Sequence, residues 1–137
     1  MRMSEMGLKL LMLREGKRNN AYLDTKGIPT IGVGHTSCVK IGDCWTDDQI
    51  LDQLKIDVGI CEKVVNDSVK VPLNQNQFDA LGSFIFNVGV AAFKKSTLLK
   101  VLNLGNYDEA ARQFDRWHIP PEITSRRDSE KNQFLQK

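Results

Sequence analysis

The sequence predicts an α+β protein that is mostly helical and has one small antiparallel sheet near its N-terminus. Residues that favour strands are concentrated between positions 20 and 36, whereas apolar residues recur at helical spacing from about residue 46 onward. The 137 residues, 41% of them hydrophobic, suffice for one packed domain. We therefore predict a single domain over residues 1–137, with a small β lobe at about 16–45 and a larger helical lobe at about 67–137 that includes the N-terminal helix.

The first helix is expected to start after Ser4, whose hydroxyl can cap it, and to place Leu8 and Leu11 on its apolar face. Gly16 lies where a helix stop is expected, so Glu15 stands at the C-terminal end of the helix. The negative end of the helix dipole disfavours an ionised carboxylate there. That suits a group that has to hold a proton near neutral pH.

A short sheet is expected to follow this helix. Tyr22, Thr30 and Ile31 favour strands, and the Asp-Thr-Lys-Gly sequence at residues 24–27 is a turn signal. We predict two or three short antiparallel strands that end by Thr36.

One long helix is expected to join the two lobes. Thr46 and Gln49 have the spacing of a capping box, and apolar residues follow at helical spacing as far as Val65. A helix from 46 to about 66 would leave a cleft between the lobes, which is a natural place for a polymer.

Further helices are expected after Pro72, which marks a break. Asn74 can cap the next one, and its stretch from Phe84 to Val88 is apolar nearly all round, which predicts the central buried helix. Another helix is predicted to start at Ser96 or Thr97 and to stop at Gly105. The next opens with a capping box of Asn106 and Glu109 and breaks at Pro120 and Pro121. A last helix is predicted from about Ile123 to Leu135.

Charge and hydropathy argue against several classes of protein. The formal net charge of +2 is too small to require a nucleic-acid partner, although a local basic face could help with an anionic polymer such as a bacterial wall. No apolar run approaches the about 20 residues of a membrane span. The apolar start is interrupted by Glu5, Lys9 and Arg14 and lacks a small-residue cleavage site, so we expect no signal peptide and a cytosolic product.

The three cysteines are not expected to bind a metal, because no His or Asp pattern around them matches a zinc site. Cys38 and Cys44 lie six residues apart in a polar stretch and could form a disulfide if their Cα atoms come within about 7 Å. Cys61 falls on an apolar helical face and is most simply a buried small hydrophobe.

The segment from Glu15 to Thr36 has Glu, Asp and Thr separated by eight and five residues and followed by IGVGH. This pattern resembles the phage-type lysozymes, glycoside hydrolase family 24. The runs FNVG and STLL lie in a stretch similar to the central and late helices of that family, and ITSRRDSEKNQFL resembles its closing helix. The resemblance covers nearly the whole chain and implies a lysozyme-like fold.

The resemblance also implies a role for each residue at a matching position. Glu15 would be the general acid that protonates the glycosidic oxygen, Asp24 would stabilise developing positive charge or orient water, and Thr30 would hold the attacking water. The family inverts the anomeric centre, which implies two carboxyl groups about 6.5–9.5 Å apart with room for water. The residues expected to line the substrate cleft are Thr36, Asn87, Phe93 and Ser96.

Two features depart from the family pattern. Between Trp117 and Ile123 the chain has only HIPPE, where relatives carry a longer loop with glycine, so we expect a trimmed cleft wall. The loop that contains Cys38 and Cys44 has no counterpart defined by cysteine, so no family role carries over to it.

Several of these residues have ordinary structural interpretations as well. Asp24 alone would be a turn residue that accepts backbone N–H groups, and Thr30 alone a strand residue. We expect a structural role for His35, hydrogen-bonded to a carboxylate or carbonyl of the long helix. Arg126 and Arg127 are either a solvated helix face or a contact to a carboxylate of the first helix.

The combined prediction is a phage or prophage endolysin that hydrolyses the β-1,4 bond between N-acetylmuramic acid and N-acetylglucosamine, with no cofactor or metal. We expect a monomer, made in the host cytoplasm, that reaches the periplasmic wall through a holin-type membrane pore. The alternative is a non-catalytic peptidoglycan-binding or phage-tail-associated module. A small protein that binds nucleic acid ranks lower, because the basic residues are dispersed along the chain.

Overall fold

The computed structural model describes residues 1–117 and 123–137, so the predicted break at Pro120 and Pro121 and the HIPPE segment lie outside the described residues. The helices and strands in chain order are α1 Glu5–Glu15, β1 Arg18–Leu23, β2 Pro29–Gly32, α2 Asp47–Asp57, α3 Gly59–Ser68, α4 Gln75–Val88, α5 Val90–Lys95, α6 Thr97–Asn103, α7 Tyr107–Gln113, a 3-10 turn Phe114–Trp117 and α8 Thr124–Leu135. They cluster into two compact units, residues 8–59 and residues 1–7 with 60–137. Within the described ranges, no helix is both long enough and apolar enough to cross a membrane.

Helix α1 begins and ends where the sequence predicts. The Ser4 hydroxyl accepts a hydrogen bond from the amide of Gly7 at 3.0 Å. Gly16 adopts a φ of +76°, and its amide donates to the carbonyl of Met12 at 2.8 Å. A glycine in this left-handed conformation stops a helix at little cost, because it has no Cβ to clash. Glu15 is therefore the last residue of α1.

The unit of residues 8–59 contains the predicted antiparallel sheet, which has two strands. In the register of the pair, Tyr22 lies opposite Thr30. The predicted turn at residues 24–27 connects the strands, with the amide of Gly27 donating to the carbonyl of Asp24 at 2.9 Å. The first strand begins at Arg18, before the start of the residues that favour strands.

Strand β1 also pairs along its other edge, which explains its early start. The amide of Ala21 donates to the carbonyl of Asp43 at 2.9 Å, and the amide of Trp45 donates to the carbonyl of Asn19 at 2.7 Å. These bonds satisfy the backbone of polar residues that have weak strand propensity of their own. Pairing with a distant segment thus extends the strand beyond its local signal.

The predicted single helix from 46 to about 66 is wrong, because α2 ends at Asp57 and α3 begins at Gly59. The capping box that starts α2 is confirmed, with bonds of 3.2 Å and 2.8 Å between Thr46 and Gln49. Gly59 has a poor helix propensity, which favours an interruption at this point. The apolar spacing continues through the break, so the sequence pattern hides it.

Helix α4 is the buried helix of the other unit, as predicted, but its buried stretch runs from Phe78 to Ile85 rather than from Phe84 to Val88. Asn74 caps it and forms a complete capping box with Gln77. The ring of Phe84 packs edge-on against Phe114, with ring centroids 5.3 Å apart, and α4 packs against α8. Edge-to-face contacts of this kind add to the free energy gained by burying the rings.

The remaining helices match the prediction in part. Helix α5 was not predicted; it follows Gly89, which separates it from α4 with a φ of +94°. Helix α6 starts after Ser96 as predicted. Only half of the capping box at α7 forms, because the Glu109 carboxylate bonds to Arg112 and Gln113 instead of the Asn106 amide. Helix α8 runs from Thr124 to Leu135, close to the predicted 123–135.

A buried carboxylate fixes the N-terminal residues in their unit. Asp79 is only 1% exposed, and it accepts hydrogen bonds from the amide of Ser4 at 3.0 Å, from the Ser4 hydroxyl, and from the side-chain amide of Gln75 at 2.8 Å. A Cβ placed on Gly7 would lie 2.8 Å from the Cβ of Asp79 and closer still to its carboxyl group. Only glycine therefore fits where α1 begins.

We expect the substitution Gly7→Ala to lower the free energy of unfolding by about 1–3 kcal/mol, because the added methyl group overlaps the Asp79 carboxylate. Thermal unfolding followed by circular dichroism measures the change. Gly59→Ala is the matched control, because a Cβ there meets no atom within 4 Å among the described residues. The control should be unchanged or more stable by up to about 1 kcal/mol. Equal stability of the two variants would contradict the close packing at Gly7.

Candidate active site

The turn between β1 and β2 holds the carboxylate of Asp24 in one orientation. Its Oδ1 atom accepts hydrogen bonds from the amides of Lys26 at 2.8 Å and Ile28 at 2.9 Å. The backbone amide of Asp24 donates in turn to the carbonyl of Ile28 at 3.0 Å. Both amide bonds use Oδ1, so they leave Oδ2 for other donors. The ordinary role expected for Asp24, that of a turn residue, is therefore confirmed.

Thr30 lies in the adjacent strand β2, and its side chain, like that of Asp24, forms a hydrogen bond with Ile28. It is 3% exposed, and its hydroxyl donates a hydrogen bond to the carbonyl of Ile28 at 2.9 Å. A hydroxyl carries one proton and two lone pairs, so after this bond Thr30 can only accept further hydrogen bonds. Because Ile28 bonds both side chains through its own amide and carbonyl, one residue sets the orientation of Asp24 and Thr30 together.

Glu15 is exposed at the C-terminal end of α1, and the segment that follows it is anchored to the start of α2. The ammonium group of Lys17 forms an ion pair with Asp47, and the side-chain amide of Asn19 donates to the same carboxylate oxygen at 2.9 Å. These two donors, Asn19 first, lower the pKa of Asp47. The connection from Glu15 to the sheet is thereby fixed in the unit of residues 8–59.

His35 has the structural role that the sequence predicts. Its Nδ1 atom lies 2.8 Å from a carboxylate oxygen of Asp57, on α2. The amide of Ile31 donates to the carbonyl of His35 at 2.9 Å, and the amide of His35 donates back at 3.0 Å. Because Ile31 follows Thr30 directly, these bonds support the backbone that carries the Thr30 hydroxyl.

The sequence of residues 13–130 matches the family model described as phage lysozyme. The chain belongs to the phage lysozyme family. The endolysin of Salmonella phage P22 is 44% identical over 98% of this chain and 99% of its own length. The endolysin of Acyrthosiphon pisum secondary endosymbiont phage 1 is also 44% identical, over 85% of this chain and 80% of its own.

Solved structures agree with this membership. A crystal structure of a P22 lysozyme mutant superposes with a TM-score of 0.96 at 43% identity and covers 99% of each chain. The muramidase domain of SpmX from Asticcacaulis excentricus has a TM-score of 0.91 at 37% identity, over 99% of each chain. The predicted lysozyme-like fold is thus confirmed, and as a phage lysozyme the chain is a hydrolase of the muramidase type.

Two of the four predicted substrate-binding residues of this lysozyme have their side chains in the interior. Phe93 is 0% exposed and packs against Phe84, with ring centroids 6.4 Å apart. Ser96 is 4% exposed; its hydroxyl donates to the carbonyl of Phe93 at 2.7 Å and accepts from the amide of Leu99 at 3.1 Å. Packing and helix capping account for both side chains, and a substrate-binding role at these two positions stays a prediction.

The other two predicted substrate-binding residues are exposed. Thr36 lies after β2 in the unit of residues 8–59, and Asn87 lies near the end of α4 in the other unit. The Asn87 side-chain oxygen accepts a hydrogen bond from Arg127. Arg127 is itself buried and lies 3.0 Å from a carboxylate oxygen of Glu130. The contact of Arg126 or Arg127 to a carboxylate of the first helix stays a prediction.

The cysteines are free thiols, so the disulfide considered for Cys38 and Cys44 is not formed. Cys44 pairs with Asn20 through an isolated antiparallel β-bridge of the backbone. Cys38 has a left-handed φ of +58°. Across residues 1–117 and 123–137, no group of three or more His, Cys, Asp or Glu side chains could hold a metal ion. His118 lies outside the described residues.

One feature of the sheet was not predicted from the sequence. The guanidinium carbon of Arg18 lies 4.7 Å from the centroid of the Tyr22 ring. Spacing alone does not indicate this pairing, because the register of β1 shifts between Arg18 and Tyr22. This pair lies on the strand that leads directly to Asp24.

We expect the three thiols to differ in reactivity. Burial raises the pKa of the Cys61 thiol to about 11, so at pH 8 very little of the reactive thiolate is present, whereas Cys38 and Cys44 are exposed. Titration with a chromogenic disulfide reagent should therefore count two fast thiols in the folded protein and a third only after denaturation. Three fast thiols, or no fast thiol, would contradict this arrangement.

Proposed function

We propose that Glu15, Asp24 and Thr30 hydrolyse the β-1,4 bond between N-acetylmuramic acid and N-acetylglucosamine in peptidoglycan. The observation that carries the proposal is the pair of hydrogen bonds by which Ile28 orients Asp24 and Thr30. These bonds leave an acceptor oxygen on each of two side chains that share Ile28 as a partner, as a water-positioning site requires. Membership of the phage lysozyme family supports the same residues.

Glu15 acts as the general acid in this proposal and protonates the glycosidic oxygen as the bond breaks. Its exposed position at the end of α1 lets it reach a substrate.

The attacking water is held by two acceptors. Because the Thr30 hydroxyl already donates to Ile28, the water donates one proton to Thr30 and the other to Oδ2 of Asp24. Its remaining lone pairs are then directed at the anomeric carbon. Attack on the face opposite the leaving group inverts the configuration, with Asp24 as the base that takes up the proton.

We propose further that the enzyme acts as a monomer, is synthesised in the host cytoplasm, and reaches the periplasmic wall through a holin-type membrane pore. Expression in a Gram-negative host with and without a pore-forming protein tests this point. Lysis that does not depend on the pore would contradict it.

We expect Glu15→Gln to lower the rate of glycosidic cleavage by at least about 100-fold, because the amide cannot donate the proton. Asp24→Asn should cause a loss of similar size. The measurement is release of reducing ends from purified peptidoglycan, with mass spectrometry of the products to identify the bond. A folded Glu15→Gln variant that is as active as the wild type would contradict the proposed role of Glu15. A wild type that binds the wall and releases no ends would favour a non-catalytic binding module.

Thr30 offers a sharper test of the water-holding role. Thr30→Val keeps the shape of the side chain but removes the acceptor, and we expect a loss of activity of about 100-fold. Thr30→Ser keeps the hydroxyl and should retain most of the activity. Loss of the bond to Ile28 costs only about 1 kcal/mol of stability, so both variants should remain folded. If Thr30→Val is as active as Thr30→Ser, the hydroxyl does not hold the water.

A further inference from the structure

We propose that Arg18, stacked on the ring of Tyr22, binds a carboxylate on the muramic acid residue of the glycan strand and so determines specificity for anionic peptidoglycan. The inference rests on the proposed function above, because it concerns the same hairpin and the same polymer. Neither residue takes part in the proposed bond cleavage.

The pairing of the strands puts Arg18 on the face that carries the proposed water site. Tyr22 lies directly opposite Thr30, and directly opposed residues of an antiparallel pair point to the same face. Asp24 follows in the turn directly after β1, where its carboxylate accepts from the amides of Lys26 and Ile28. The guanidinium of Arg18 is over the Tyr22 ring, at 4.7 Å from its centroid, and therefore shares this face.

The guanidinium is available for a ligand. Arg18 is exposed, and within the two described stretches of the chain its side chain forms no hydrogen bond or ion pair besides the stacking contact. The neighbouring cation, Lys17, differs in this respect because Asp47 compensates its charge. A cation that contacts only an aromatic face keeps all five of its N–H donors.

Stacking also leaves these donors available to a carboxylate. The contact brings the guanidinium carbon to 4.7 Å from the ring centroid, and the aromatic ring does not take the place of a carboxylate as acceptor for the guanidinium's N–H donors. These donors bind a carboxylate through two parallel hydrogen bonds. The ring holds the guanidinium in place before binding, which reduces the entropy lost when a ligand binds.

The chemistry of the proposed substrate supplies a carboxylate on one of its two sugars. Muramic acid carries a lactyl group whose carboxyl is either free or joined to a stem peptide with carboxylates of its own. N-acetylglucosamine carries no such group. An Arg beside the catalytic face therefore distinguishes the two sugars by charge, and either the lactyl acid or the peptide can provide the anion.

The test is a cycle of two changes, one in the enzyme and one in the substrate. The enzymes are the wild type, Arg18→Gln and the control Lys55→Gln, which removes an exposed charge from α2 in the same unit. The substrates are soluble uncross-linked peptidoglycan strands and the same strands with their carboxyl groups amidated. Reducing-end release at low salt gives kcat and KM for each pair.

On native strands we expect Arg18→Gln to raise KM about tenfold with kcat nearly unchanged, the size expected for a charge-assisted hydrogen bond. On amidated strands, Arg18→Gln and the wild type should have equal KM values. Lys55→Gln should match the wild type on both substrates. Circular dichroism and the unfolding temperature check that each variant is folded.

Two results would overturn the inference: an Arg18→Gln loss that is the same on native and amidated strands, or no loss on either. If the wild type cleaves neither substrate, the proposed function fails instead. Tyr22→Phe should keep the selectivity for native strands and Tyr22→Leu should weaken it, because only the former retains the ring. Strands stripped of peptide then identify the anion: a persistent Arg18 effect indicates the lactyl carboxylate, and its disappearance indicates the stem peptide.

Discussion

The hydrogen bonds that Ile28 makes with Asp24 and Thr30 are the constraint on which the candidate site depends. A carboxylate in a turn and a hydroxyl in a strand would otherwise rotate independently. Here the amide of Ile28 occupies one oxygen of Asp24, and its carbonyl takes the proton of the Thr30 hydroxyl. Each side chain is left with acceptor capacity that these bonds do not use, which is what the proposed orientation of water requires.

Much of the fold around this site could be predicted from interactions between residues close together in the sequence. The Asp-Thr-Lys-Gly turn, the glycine stop after Glu15 and the caps at Thr46, Asn74 and Ser96 all depend on residues within a few positions of one another. Such signals need no knowledge of the rest of the fold, and each is confirmed. The prediction for His35 is also confirmed, although its partner Asp57 lies 22 positions further along the chain, on α2.

The parts that could not be predicted depend on distant partners. The early start of β1 requires residues 43–45, and the apolar spacing of α2 and α3 continues through the interruption at Val58. Phe93 and Ser96 occupy positions that family resemblance assigns to the cleft, yet packing on Phe84 and the capping of α6 account for both. A match to a family motif identifies the equivalent position in the sequence, but it does not show whether the side chain there is exposed or buried.

Charged groups in this protein differ in whether the fold uses their hydrogen-bonding capacity, and this difference indicates where the functional site lies. In the unit of residues 1–7 and 60–137, the buried charged groups Asp79, Arg127 and Glu130 all have polar partners, as burial demands. On the hairpin, by contrast, Arg18 keeps its donors and Asp24 keeps an oxygen that the turn amides do not use. Folding gains nothing from these groups in that state, since water solvates them equally well in the unfolded chain. A donor and an acceptor on one hairpin, whose remaining hydrogen-bonding capacity the fold does not use, are therefore best explained by a ligand that binds both.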